Sequence, residues 1–312
     1  MAGDVSGVVA GFTVIFVVIA VGYIVARTGV LGAHGEFVLG RTVFFVATPA
    51  LLFDTLSTSD LSVVFSSTLA ITAVSASAIG VLAFVVARVR RRPAPEATVA
   101  ALSACYVNAA NLGIPIAVFV LGDASFVAPL LLFQIMVLSP VALGILDVTT
   151  SPGRASALSI VAAPFTNPIV LAGLAGLALA VTGVTLPAPV AEPFALLGAV
   201  SVPGALLAFG MSLRGARVLQ RDGDTARSDV LLAAGLKTVA LPVLTYVLAR
   251  WVWGVEGEQL FAVVVIASLP TAQNVFVYAS RYGRGVVLAR DTGFVTTVLA
   301  IPLIAAVAAL LT

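Results

Sequence analysis

Apolar residues dominate the chain from end to end in long stretches, and the short links between them hold nearly all of the charge. Each stretch is close to the roughly 20 residues that a helix needs to cross about 30 Å of hydrocarbon. Ten can be laid out: residues 7–27, 36–56, 62–89, 97–121, 126–147, 157–182, 190–212, 229–252, 257–281 and 287–311. A membrane-spanning barrel would instead show segments of about 10 residues with alternating polarity, and the chain has none. The expected fold class is therefore all-α: a polytopic membrane protein of ten transmembrane helices.

Two stretches depart from the pattern in the same way. The fourth contains Asn108-Ala-Ala-Asn111-Leu-Gly113-Ile-Pro115, and the ninth contains Ser268-Leu-Pro270-Thr-Ala-Gln273-Asn274. In lipid every backbone N–H and C=O must be bonded internally, so a broken helix survives only where protein buries it or where it lines a polar cavity. A pair of such breaks, placed alike in two halves of a chain, points to a transport site. Proline suits the first turn of a helix, so Pro115 and Pro270 are expected to open the second half of each broken span. Each new helix start exposes unpaired N–H groups and a partial positive charge, which suits an anion. Gly113 leaves room for a close approach of two backbones.

Composition agrees. Hydrophobic residues make up 61% of the 312 and charged residues 10%, against about 45–50% and about 25% in ordinary soluble domains. The pI near 9.0 does not imply a nucleic-acid partner, because the basic residues sit in short links. The links after spans 1, 3, 5, 7 and 9, with the adjoining helix ends, hold all the Lys and Arg residues except Arg250 and Lys237. Cytoplasmic links are enriched in such residues, so both termini are expected outside the cytoplasm, in a plasma-membrane protein. No basic region precedes the first apolar run, which is expected to remain as a span. Cys105 is the sole cysteine, and no disulfide framework is possible.

The prolines suggest a repeat. Pro49 and Pro203 are 154 residues apart, and Pro115 and Pro270 are 155 apart. The halves, 1–147 and 157–312, then hold five helices each; because five is odd, the second enters the membrane from the other side and the repeats are inverted.

Asn108 and Asn111 precede their proline in an outward-running span, whereas Gln273 and Asn274 follow theirs in an inward-running one, so both clusters fall toward the cytoplasm. Lys237, about eight residues or 12 Å into span 8, reaches the same level. The expected site is a pocket for a carboxylate, with amides and helix ends binding it and Lys237 setting the charge preference. Gln134, central in span 5, needs buried partners, and Thr48, before Pro49, is a further candidate. Other readings stay open: Lys237 as a snorkelling residue or a partner of Asp147, Asn108 and Asn111 as contacts between helices, and Asn167-Pro168 as a helix cap.

These motifs, with Asn167-Pro168-Ile-Val and Phe209-Gly210-Met211-Ser-Leu213, resemble the auxin efflux carrier family, which includes plant PIN proteins and many bacterial carriers. The resemblance covers essentially the whole chain. It implies two inverted five-helix repeats similar to those of bile-acid symporters and sodium/proton antiporters, with spans 4 and 9 crossed. It implies a scaffold of about 7–56 and 157–212, commonly dimeric, and a transport domain of about 62–147 and 229–311 that moves as an elevator. Pocket roles would fall to Asn108, Asn111, Pro115, Pro270, Gln273 and Asn274. Bacterial members are associated with small organic acids such as malate and malonate. The long insertion of plant members between spans 5 and 6 is replaced by a short link, 148–156, which argues against auxin as substrate. The expected function is thus an exporter of a mono- or dicarboxylate, with Ser268 also at the site, and with no cofactor and no metal. The rivals are a membrane sensor or channel of the same fold, or a sodium-coupled symporter. An intramembrane enzyme would need a zinc-binding His set or a Ser/His dyad, and the one histidine, His34, lies in a link.

Overall fold

The computed structural model describes residues 5–32, 34–58, 67–150, 168–214 and 227–311. Helix occupies at least part of each of the ten predicted stretches: α1 Val5–Thr28, α2 Gly35–Ser57, α3 Ser67–Val89, α4 Ala94–Cys105 with α5 Ala109–Phe119, α6 Ala124–Thr150, α7 Pro168–Thr182, α8 Ala188–Gly198 with α9 Ser201–Ser212, α10 Arg227–Val252, α11 Gly257–Ala267 with α12 Gln273–Tyr282, and α13 Val286–Leu311. Residues 62–66, 157–167 (with Asn167) and 215–226 of the charged link lie outside the described residues. Among the described residues six helical segments are long and apolar enough to cross a membrane: Gly35–Ser57, Ser67–Val89, Ala124–Thr150, Ala188–Met211, Arg227–Val252 and Val286–Leu311. The described chain is all-helical, without a strand beyond one isolated two-residue bridge. This is the architecture of a multi-pass membrane protein.

Proline shapes four of these helices in one way. Wide π-helical turns cover Val43–Ala47, Ala109–Gly113, Gln134–Leu138 and Leu236–Ala240, and each ends two residues before a proline: Pro49, Pro115, Pro140 and Pro242. A proline has no N–H for the carbonyl one turn back, and its ring crowds that carbonyl. Widening the preceding turn moves the carbonyl aside without ending the helix. A fifth wide turn, Leu248–Val252, ends α10 without a proline.

The helices pack in two sets. The first is α1 on α9, and α7 and α8 on the second half of α2; in the second α4 packs on α3, α6, α10 and α13, and α10 on α13. Contact between the sets runs mainly through α5, which lies against α1 and α9. Backbones touch where α1 meets α9: a Cβ on Gly22 would collide with the Leu207 carbonyl, and one on Gly210 with the Ile19 carbonyl. Small residues allow such an approach in lipid, where dispersion contacts rather than the hydrophobic effect drive helix association. In the second set α11 is enclosed on every side, with Leu260 to Ala267 all buried. The uniformly apolar run from Leu260 to Ala267 fits that place.

Candidate functional site at the paired helix breaks

The breaks expected in spans 4 and 9 both exist, and they meet. α4 ends at Cys105, and Tyr106 turns to an extended conformation. Val107 then forms an antiparallel bridge with Thr271. Across it the Asn108 N–H donates to the Pro270 carbonyl at 2.8 Å, and the Ala272 N–H donates to the Tyr106 carbonyl at 3.0 Å. Side chains satisfy what the bridge leaves over. Gln134, fully buried, accepts from the Val107 N–H and donates from Nε2 to the Val107 carbonyl at 3.0 Å. The Thr271 N–H donates to Thr296 Oγ1 at 3.1 Å, and the Thr271 hydroxyl donates to the Ser103 carbonyl at 2.6 Å. Broken backbone survives here because the facing segment and neighbouring side chains partner the groups at the bridge.

The prolines do not open the second halves. α5 starts at Ala109, with Asn108 as its cap: Asn108 Oδ1 accepts from the Asn111 N–H at 3.3 Å. Asparagine at a cap satisfies a donor that proline in the first turn would merely lack. Pro115 therefore lies a turn and a half into α5, and Pro270 lies within the second break, three residues before α12 begins at Gln273. The positive helix ends stand beside the amides and not at the prolines.

Those ends open on a cavity of about 690 Å³. Of the eleven residues proposed from sequence, five line it: Asn108, Asn111, Gln134, Gln273 and Asn274. Tyr106 and Thr271 line it too, and Phe44, Phe45, Phe209, Phe276 and Phe294 give it apolar walls. Asn108 is 3% exposed, and its Nδ2 has no hydrogen-bond partner. Buried polar atoms are nearly always paired, so an unpaired donor on a cavity wall invites a ligand acceptor.

The other six stand elsewhere. Gly113, Pro115, Ser268 and Pro270 are buried behind the wall. Gly113 abuts the side chains of Val127 and Leu269 and not a second backbone. The Ser268 hydroxyl is used within its own helix, donating to the Val264 carbonyl at 2.7 Å. Thr48 shares a 2.9 Å hydrogen bond with Ser201, joining α2 to α9. Lys237 is fully buried and off the cavity; its Nζ donates to the Ala267 carbonyl, the last of α11, at 2.8 Å. A cation at the negative end of a helix is favourably placed. Lys237 thus neither snorkels nor pairs with Asp147, which accepts from the Tyr282 hydroxyl at 2.6 Å.

Sequence reasoning missed several residues here. Arg41 and Arg290 line the cavity but entered only as markers of orientation. Ser201 had a signal, since it follows Thr48 by nearly the proline offset; Thr271 and Thr296 had none, because their roles depend on contacts between distant segments.

A bundle of membrane-crossing helices enclosing a polar cavity at two paired breaks defines a membrane transporter. The family model described as "Membrane transport protein" matches residues 8–307, and the chain belongs to that family, the auxin efflux carrier family that its motifs resemble. It is similar to a protein of Rhizobium meliloti described as "Putative malonate transporter", at 27% identity over 307 residues, covering 96% of this chain and 93% of the relative. It is also similar to an "Uncharacterized transporter" of Methanothermobacter thermautotrophicus, at 27% identity over 299 residues, covering 92% of this chain and 93% of that one.

Proposed function

We propose that the protein is a secondary carrier that moves a small organic anion, a mono- or dicarboxylate, out across the plasma membrane. One observation carries the reading: the Asn108 amide, buried and with Nδ2 unpaired, faces a cavity at the point where two helix breaks bind each other. At the breaks, neutral amides and helix N-termini offer an anion hydrogen-bond donors and partial positive charge. The printed name of the Rhizobium relative favours a carboxylate.

In this reading the chain is two inverted five-helix repeats with spans 4 and 9 crossed, and both termini lie outside the cytoplasm. Residues 7–56 and 157–212 form a scaffold, which pairs with a second copy as a homodimer among the membrane lipids. Residues 62–147 and 229–311 form a transport domain that carries the cavity past it as an elevator. The division of the helices into two packed sets supports this assignment. Export of a monovalent anion from a negative interior gains about 2.3 kcal/mol per 100 mV, so the membrane potential alone can drive it.

The test is counterflow in proteoliposomes loaded with malonate. Saturable exchange of labelled malonate, abolished by Asn108→Asp, is the expected result. Binding without flux would assign the protein to the sensors instead, and flux that never saturates would make it a channel.

A further inference from the structure

The cavity wall offers hydrogen-bond donors at two levels. One is the group of amides at the breaks, against which, on the carrier reading above, a carboxylate rests. The other is Arg290. Arg290, Gly293, Phe294 and Thr297 all line the cavity, and their spacing marks one face of α13. Arg290 precedes Thr296, whose Oγ1 accepts from the Thr271 N–H at the second break, by six residues, about 9 Å of helix. Gln273 and Asn274 open α12, which runs from that break back to the link before α13, so these two amides lie between Thr271 and the level of the guanidinium in one cavity.

The guanidinium is held in place. Its Nε donates to Asp291 Oδ1 at 2.8 Å, and the Asp291 side chain is 2% exposed. A carboxylate buried within a spanning helix is costly, and here it orients its neighbour. That bond uses one of the five N–H donors of an arginine. Nη2 is buried and has no hydrogen-bond partner. The other cavity arginine is already accounted for: Arg41 is exposed, stacks on Phe37 and Phe45 at 5.4 and 4.9 Å, and shares the rim with Glu36. Of the two, Arg290, its side chain 40% exposed, combines a fixed orientation, a place on the wall and an unused donor, the buried Nη2.

We propose that Arg290 is a specificity-determining residue, binding the second carboxylate of a dicarboxylate whose first rests on the amides at the breaks, and that Asp291 is its positioning residue. A guanidinium matches a carboxylate with two parallel N–H donors. A monocarboxylate leaves the buried Nη2 unpaired, so the site discriminates against it. Sites built around a polar group of the substrate reject analogues that lack it far more strongly than apolar pockets reject a missing methylene.

The experiment is competition of labelled malonate exchange in proteoliposomes by malonate and succinate, against propionate and butyrate of matching length. In the wild type the dicarboxylates should compete at least about tenfold more strongly, or about 1.4 kcal/mol. The double variant Arg290→Gln/Asp291→Asn, which removes charge and counter-charge together, should bring that ratio toward one. Arg290→Lys keeps the charge but loses the fork, and should fall between. A purely structural role lowers exchange of both classes together and leaves the ratio unmoved, which would overturn the proposal. So would a wild type in which monocarboxylates compete equally well; that result needs no variant to fold and leaves the carboxylate reading standing. Exchange of neither class by the wild type would instead defeat the carboxylate reading itself, and this assignment with it.

Discussion

Replacing Gln134 with Leu tests whether the two hydrogen bonds from this side chain to the Val107 peptide hold the helix break. Leucine has nearly the same volume, so little cavity is created and the loss is of hydrogen bonds. The Val107 N–H has Gln134 as its side-chain partner, and its carbonyl also accepts from the Ala109 N–H at 2.7 Å. The variant therefore orphans one buried donor, at about 1–3 kcal/mol, and removes one of two bonds to an acceptor, at about 0.5–1.5 kcal/mol. The sum is about 3 kcal/mol. At about 2 °C per kcal/mol for a chain of this size, the melting temperature should fall by about 6 °C. Thermal unfolding of the purified protein, followed by tryptophan fluorescence with and without malonate, measures this directly. Because Val107 is bridged to Thr271, the ligand-induced stabilisation should shrink as well. A variant that melts with the wild type and keeps its full malonate shift would refute the clamp. Gln134→Glu separates the two bonds, since a carboxylate still accepts from the N–H but cannot donate to the carbonyl.

Asn108→Asp should abolish anion binding, because the Nδ2 donor gives way to a carboxylate that repels an anion while Oδ1 still caps α5; isothermal titration with malonate decides it, and retained affinity would remove Asn108 from the site. Lys237→Met should lower the melting temperature, as the Ala267 carbonyl loses its partner at a cost of about 1–3 kcal/mol, yet change the malonate dissociation constant far less than Asn108→Asp does. An affinity loss as large as that of Asn108→Asp, at unchanged stability, would place the ammonium at the anion after all. Gly210→Val drives a side chain into the backbone of α1 and should destabilise by about 1–3 kcal/mol or more; a variant that melts like the wild type would mean that α1 and α9 do not pack as described. Thr48→Val with Ser201→Ala, which removes both ends of one hydrogen bond, should be milder than either single change, since neither hydroxyl is left alone.

Much of this molecule is legible along the chain. Hydropathy marks the helices, because crossing hydrocarbon needs a set length of apolar residues whatever their neighbours are. Proline and asparagine mark the breaks, because loss of an N–H or gain of a capping oxygen acts within one helical turn. Even the wide turns follow local proline chemistry, as at Val43–Ala47 before Pro49. Four of the amides proposed from sequence, Asn108, Asn111, Gln273 and Asn274, share one cavity for the same reason: they flank the breaks, and the breaks meet.

Tertiary structure alone decided what each polar group serves. Lys237 looked like an anion-binding charge and instead holds the end of α11; Gln134 looked like a substrate contact and also clamps the Val107 peptide; Arg290 looked like an orientation marker and stands on the cavity wall. Sequence pattern is set by forces that reach a turn or two, whereas a buried donor is satisfied by whichever acceptor packing brings within about 3 Å. For Lys237 that acceptor lies 30 residues away, and for Thr271 it lies 168 residues away.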